Sequence, residues 1–133
     1  MKSIIKTKSE KMLLTVNIPS DQNEILSGIM ASHGGKVITA LSSDGGKQLG
    51  YLLGFGGFEK NEKPQREVSQ SCVVFSGVGG SELNEILRQM REAGVVVALK
   101  AVCTAYNQSW TLADLAIELD NEHKAMTGGG KGE

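Results

Sequence analysis

Apolar residues along the chain fall into short runs and helical stripes, and this pattern predicts two βαβ-like units in succession. Residues 12–18 form a β-branched, apolar run that predicts a strand. Pro19 ends it, and a helix with an apolar stripe is predicted to follow as far as Gly34 and Gly35. Residues 36–41 then predict a second strand, which completes the first unit.

The second half of the chain has the same order of patterns. Residues 72–75 predict a strand, and a glycine-rich turn over 76–80 leads to Ser81, the expected N-cap of a helix. Gly94 ends that helix, and residues 95–104 return as one strand or two shorter ones. A final helix is predicted to begin after an N-cap at Thr111.

The two halves also share a short string of residues. Asn23-Glu24-Ile25-Leu26 recurs as Asn84-Glu85-Ile86-Leu87, which corresponds to an offset of 61 positions (84 − 23). Together with the matching order of elements, the string predicts an internal structural repeat.

Two successive βαβ units favour an α+β fold, a ferredoxin-like sandwich in which an antiparallel sheet carries helices on one face, with an added C-terminal helix. A small doubly wound α/β sheet is the alternative. The length predicts one domain over residues 1–133. Its expected segments are a basic N-terminal lead (1–11), the first βαβ half (12–42), a Gly-rich and charged connection (43–70), the second half with the C-terminal helix (71–126) and a flexible tail (127–133).

Composition and charge narrow the classes of partner. Lys and Arg number 14 against 15 for Asp and Glu, so a net charge of −1 gives no overall attraction for nucleic acid. No apolar stretch reaches the ~20 residues of a membrane span, and the N-terminus has no signal-peptide pattern. Cys72 and Cys103, both in apolar strand contexts, predict inert free thiols and a cytoplasmic location.

A set of spaced residues marks the second half, from Val73 to Met126: Phe75-Ser76-Gly77, Glu82-Leu83, Leu87, Leu99-Lys100-Ala101-Val102, Thr104, Asn107, Trp110-Thr111-Leu112, Glu118-Leu119 and Glu122-His123. In these residues the second half resembles a bacterial family of small domains of unknown function. The resemblance implies a compact α/β module and brings no reaction, cofactor or ligand. Tyr106 departs from it, because the family usually has a proline near this position.

The glycine-rich turn is the first candidate binding site. Gly77, Gly79, Gly80 and Ser81 lie between a predicted strand and a predicted helix, where backbone N–H groups can hold an anion. The alternative is a tight turn before a capped helix. It is favoured by Glu82, whose carboxylate in the first helical turn would repel a phosphate.

Lys100 is the second candidate, because it interrupts an apolar run that otherwise predicts a buried strand. A functional Lys100 would join Thr104, Asn107 and Trp110 in a polar cluster at the end of the strand, whereas strand alternation favours a solvent-facing lysine. His123 lies on the predicted apolar stripe of the last helix, either as a ligand-binding residue or as a histidine at the edge of the core.

Two further features predict contacts with another protein. The apolar segment that contains Phe55 and Phe58 would form an interface if both rings were exposed. Asp114, Glu118 and Glu122 form an acidic stripe on the last helix, which is either a solvated face or a contact for a basic surface.

No complete catalytic set and no metal-ligand spacing is found in the sequence, so no cofactor and no metal is expected. We therefore expect a non-enzymatic binding or interaction module, with a second copy of the chain or another protein as its partner. A small-molecule sensor with a pocket near the glycine turn and Lys100 is the alternative, and an unrecognised enzyme is the third hypothesis.

Overall fold

The computed structural model describes residues 10–55, 58 and 66–131, with side chains described as far as residue 124. Strands and helices alternate along this part of the chain. In chain order the elements are β1 (Met12–Val16), α1 (Ser20–Ser32), β2 (Lys36–Ala40), α2 (Leu49–Leu52), β3 (Cys72–Ser76), α3 (Gly80–Glu92), β4 (Leu99–Val102) and α4 (Leu112–Lys131).

The strands of the described residues form one four-stranded sheet in the order β2-β1-β3-β4. The predicted α+β class is confirmed, and the sheet with its helices is compatible with a small ferredoxin-like fold. The expectation of a wholly antiparallel sheet is wrong. Only the central pair β1 and β3 is antiparallel, because each βαβ unit returns its second strand parallel and adjacent to its first.

Helices cover both faces of the sheet, which corrects the expectation of helices on one face. β1 and β3 are buried along their full lengths, and a central strand of this kind needs cover on two sides. One face packs against α1 and α3 through residues such as Leu26 and Ile86. The other packs against α2 and the start of α4 through Leu49 and Leu112, which gives three layers in total.

The bounds of β1 and β3 define the register of an internal repeat. β1 begins at Met12 and β3 at Cys72, and both have five residues, so the offset between the halves is 60 positions (72 − 12). At this offset α1 and α3 begin and end at corresponding positions, and buried Leu26 matches buried Ile86. The predicted offset of 61 is therefore corrected by one residue, because the shared four-residue string is out of register with the buried positions.

A second contact between the two halves is formed by the segments that follow β2 and β4 along the chain. Gln48 bridges Thr111, at an offset of 63 positions (111 − 48), because the α3–β4 connection is three residues longer than its counterpart. Flanking backbone hydrogen bonds run from Leu49 N to Trp110 O (2.9 Å) and from Leu112 N to Lys47 O (2.9 Å). α2 thus corresponds to the first turn of α4. We call residues 10–55 the first repeat and residues 70–131 the second repeat.

The ends of the segments differ in part from the sequence expectation. The apolar stretch near Leu49 forms a helical turn, and α4 extends to Lys131, so residues 127–131 continue the helix expected to end before them. Residues 1–9 of the basic lead, 56–57 and 59–65 of the connection, and 132–133 of the tail lie outside the described residues. Among the helices that are described, none is long and apolar enough to cross a membrane.

Gly77, which follows β3, provides a test of the repeat. Its φ of 78° is left-handed, and its counterpart Asn17 also has a left-handed φ, of 59°. We expect Gly77→Ala to lower the free energy of unfolding by about 1–2 kcal/mol, because Cβ disfavours this conformation. Gly77→Asn should lower it less, since asparagine tolerates left-handed φ values. Urea unfolding measures both values, and equal losses in the two variants would contradict this account.

Candidate functional site

The glycine-rich turn lies at the carboxyl end of β3, as expected, but its helix is capped differently. α3 begins at Gly80 with Gly79 as the N-cap residue, so the expectation that Ser81 is the N-cap is wrong. Gly77 provides the left-handed turn that precedes them. Glu82 occupies the first helical turn and places a negative charge at this helix start. The arrangement favours the structural interpretation of the turn over an anion site.

Lys100 is exposed at the edge strand β4, while its neighbours Leu99 and Ala101 face the core. Trp110 packs against the same core cluster as Leu99. Because side chains alternate along a strand, Lys100 lies on the opposite face of the sheet from Trp110. Its ammonium group makes a long hydrogen bond of 3.4 Å to the Val97 carbonyl. The predicted cluster that joins Lys100 to Trp110 is therefore not formed.

Thr104 and Asn107 do come together, in the loop between β4 and α4. Asn107 Oδ1 accepts a hydrogen bond from Thr104 N at 2.8 Å, and Asn107 Nδ2 donates to the Val102 carbonyl at 3.2 Å. In the first repeat Asp44 accepts the equivalent hydrogen bond from Leu41 N, also at 2.8 Å. These contacts shape the loop in both repeats, so they account for Thr104 and Asn107 without a ligand.

Trp110 forms one wall of an open groove of about 680 Å³ beside α4. Its ring meets that of Tyr106 edge to face, with 5.5 Å between centroids. Tyr106 is 78% exposed, so the aromatic pair extends from the core to the surface. The residues that line the groove are Gln48, Ser109, Trp110, Thr111, Asp114, Ile117 and Glu118.

The charged side chains of the groove are acidic. Asp114 forms an ion pair with Arg66 at 2.7 Å, and both side chains are partly exposed. Glu118 is exposed one helical turn further along, and no described residue forms an ion pair with it. Thr111 Oγ1 accepts a hydrogen bond from Asp114 N at 3.1 Å, so the predicted N-cap of α4 is confirmed. The cap fixes the first turn of α4 and with it the position of Asp114.

His123 does not join this groove. It is exposed on α4, so the expectation that it lies on the buried stripe of this helix is corrected. The buried stripe ends earlier, with Leu115 buried and Leu119 half-buried. Among the residues that the structure describes, no group of three or more His, Cys, Asp or Glu side chains is placed to hold a metal.

The two phenylalanines predicted for an interface contribute instead to the core. Phe55 is 6% exposed, and Phe58 is half-buried against the same cluster. A Cβ on Gly50 would meet the Phe58 ring at 2.5 Å, which shows how closely the ring covers this turn. The expectation that both rings are exposed is thus corrected, because the second face of the sheet needs their apolar surface.

A cluster of polar side chains that the sequence does not predict joins the two repeats. His33, the C-cap residue of α1, contacts Glu82 through Nδ1 and Gln89 through Nε2, at 2.9 Å each. Lys11 Nζ lies 3.0 Å from Glu82 and donates to the His33 carbonyl at 3.0 Å. We call Lys11, His33, Glu82 and Gln89 the histidine tie.

The contacts of the histidine tie shift the ionisation of its members. Hydrogen bonds to Gln89 and then to Glu82 raise the pKa of the His33 imidazole above its ordinary value. Hydrogen bonds from Lys11 and then from His33 lower the pKa of the Glu82 carboxyl. His33 and Glu82 are 49 positions apart, and only the packing of α1 beside α3 brings them together.

Comparison with known proteins identifies the second repeat alone. Residues 71–126 match the model of a protein family described as a domain of unknown function (DUF3783). The resemblance of the second half to such a family is confirmed by this match. No curated protein and no solved structure matches the chain. The match begins just before β3 and ends within α4, so it covers one repeat, and the first repeat has the same order of elements outside it.

Proposed function

We propose that this protein is a non-enzymatic interaction module whose groove beside Trp110 binds a partner segment that carries lysine or arginine. The observation that carries the proposal is the combination of an aromatic wall with exposed carboxylates in one groove. Its volume of about 680 Å³ lies in the range of ordinary ligand sites.

The chemistry of the groove favours a cation. Trp110 and Tyr106 present aromatic surface, to which guanidinium and ammonium groups are attracted. Arg66 already pairs with Asp114 at the rim, which illustrates the type of group that the groove accepts. Glu118 provides a second carboxylate for a cation from another molecule.

The repeat supports a role for the groove beyond folding. At the equivalent positions the first repeat has Lys47 in place of Trp110 and Phe55 in place of Glu118, and α2 ends at Leu52. The first repeat therefore contributes to the contact between Gln48 and Thr111 without an aromatic and acidic groove of its own. The groove arises because α4 continues beyond the first turn and carries new side chains.

The single tryptophan of the chain makes the proposal directly testable. We expect an acetylated, amidated Gly-Arg-Leu-Arg-Gly peptide to change the fluorescence of Trp110 saturably, and salt to weaken the effect. The same peptide with citrulline in place of arginine retains shape but no charge and should leave the signal unchanged. Equal responses to the two peptides, or no response at about millimolar peptide, would contradict the proposal.

Matched variants localise the site. Glu118→Gln should weaken the peptide about two- to fivefold, the range expected for one exposed ion pair. Glu24→Gln removes an exposed carboxylate on α1, across the sheet from the groove, and should have no effect. Arginine amide in place of the peptide distinguishes the interaction module from a small-molecule sensor. A sensor for a small cation would bind arginine amide as tightly as the peptide, whereas the module should bind it more weakly.

We place the module in the cytoplasm of a bacterium, in line with its resemblance and its thiols. Cys72 and Cys103 are not joined by a disulfide. Free thiols persist in reducing compartments, where disulfides are rare.

A further inference from the structure

The histidine tie is a feature of one joint between the repeats and not of the other. At the offset of 60, the counterparts of Lys11, His33, Glu82 and Gln89 are Ser71, Ala93, Gln22 and Ile29, none of them ionisable. At that second joint a hydrogen bond from Val96 N to Gln22 Oε1 (3.4 Å) crosses between the repeats, while Ser71 Oγ accepts from Ala98 N (2.8 Å) within the second repeat. The fold therefore closes an equivalent joint with neutral side chains.

The hydrogen bonds of the histidine tie depend on whether the His33 imidazole is protonated. Nδ1 of His33 faces a carboxylate, which only accepts, and Nε2 faces the side-chain oxygen of Gln89. Both ring nitrogens donate only when the imidazole is protonated. A neutral His33 keeps one of these hydrogen bonds and loses the other unless the Gln89 amide turns over.

The charges around His33 come from three elements. Glu82 and Glu85 of α3 both favour the imidazolium, although Glu85 is also bound by Arg88. Glu10 and Lys11 precede β1, and Lys36 begins β2; these three line the cavity of about 360 Å³ next to His33. Lys11 forms an ion pair with Glu82 at 3.0 Å, and the carboxylates of Glu82 and Glu85 are the charges that favour the protonated ring.

We infer that the histidine tie is a proton-dependent contact that holds α1 to α3 while His33 is protonated and loosens this joint alone when His33 is neutral. The contact between Val96 and Gln22 at the opposite joint involves no ionisable side chain, so we expect no effect of pH there. Loss of the proton thus changes the contact between repeats at one end of the molecule, on the face of the sheet that does not carry the groove.

The directions of the pKa shifts of His33 and Glu82 determine how the stability that the tie provides changes with pH. The pKa of His33 is raised above its ordinary value of 6.5, so its stabilisation is complete below that value and is lost as pH rises through the pKa of the folded chain. The pKa of Glu82 is lowered from 4.5, so its contribution is present above that value and is lost as pH falls through the folded pKa. The tie is therefore strongest in mildly acidic solution.

NMR and thermal unfolding test the inference in the full chain. In a His123→Gln background the remaining imidazole signal should titrate with a midpoint above 6.5. Between about pH 6 and about pH 8.5, hydrogen exchange corrected for the intrinsic rate should accelerate severalfold at the end of α1 and the start of α3, and not at the opposite joint. Unchanged protection at the histidine tie across this range overturns the inference.

Two variants separate the proton from simple packing. Gln89→Glu keeps His33 and adds a second carboxylate, so it should raise the titration midpoint and move the loosening to higher pH. The second variant replaces the tie by its own counterparts, Lys11→Ser, His33→Ala, Glu82→Gln and Gln89→Ile. It should remain folded and lose the pH-dependent change in exchange at this joint. A change that persists in this variant, or a midpoint unmoved by Gln89→Glu, overturns the inference.

Discussion

Leu112→Ala and Leu49→Ala are each expected to lower the free energy of unfolding by about 2–5 kcal/mol, the cost of a large-to-small substitution in a closed core. Both leucines are fully buried in the cluster beneath α2 and α4. They occupy equivalent positions, directly after the bridged residues Gln48 and Thr111. Because the repeat gives them the same environment, the two losses should be similar.

Urea unfolding at fixed pH measures these losses, with Ile117→Ala as the matched control. Ile117 is on the same helix as Leu112 but is 51% exposed, so its truncation should change stability by less than about 0.5 kcal/mol. A large loss for Leu112 with a negligible loss for Leu49 would show that the two leucine positions are not equivalent. The double variant is expected to deviate from additivity, because the leucines flank one bridge.

The sequence predicted the two βαβ units because β1 and β3 are mostly apolar and glycines end both helices. It did not predict their register. The string that begins at Asn23 and Asn84 has its fully buried residue at the fourth place in one repeat (Leu26) and at the third in the other (Ile86), so its identity does not align the repeats. The alignment follows instead from positions that share burial, such as Leu26 and Ile86.

The sequence predicted contacts at the candidate sites only between residues that are close together along the chain. Thr104 and Asn107 lie three residues apart and meet in one loop, as expected. Lys100 and Trp110 lie on opposite faces of the sheet. Strand alternation predicts the face on which Lys100 lies, but it does not predict the face of Trp110, which lies in the loop after the strand. The histidine tie depends on the packing of α1 against α3, and no spacing along the chain indicates it.

Both proposals rest on the same physical comparison, between one repeat and the other. Features that the two repeats share, such as the loop contacts of Asp44 and Asn107, are explained by folding. Features present in one repeat alone, such as the groove at Trp110 and the tie at His33, are not required by the shared backbone. This distinction separates candidate functional residues from structural ones within a single chain.

Cys72 is expected to react with a thiol reagent at least about a thousandfold more slowly than Cys103 in the folded protein. Cys72 is fully buried in β3, and burial raises the pKa of its thiol to about 12. At pH 8 the thiolate fraction of such a group is about one in ten thousand, and the reagent also has no access to it. Cys103 follows β4 and is only half-buried, which corrects the expectation that both thiols are buried.

Stopped-flow labelling with a chromogenic disulfide resolves the two thiols as a fast and a slow phase. Cys103→Ser should remove the fast phase, Cys72→Ala the slow one, and denaturant should make both thiols react together. Equal rates in the folded protein would contradict the buried placement of Cys72. Because this thiol is buried in the core between the sheet and the layer of α2 and α4, its labelling requires opening of the core. Leu112→Ala should therefore accelerate the slow phase by the factor that its loss of stability implies, while the fast phase stays unchanged.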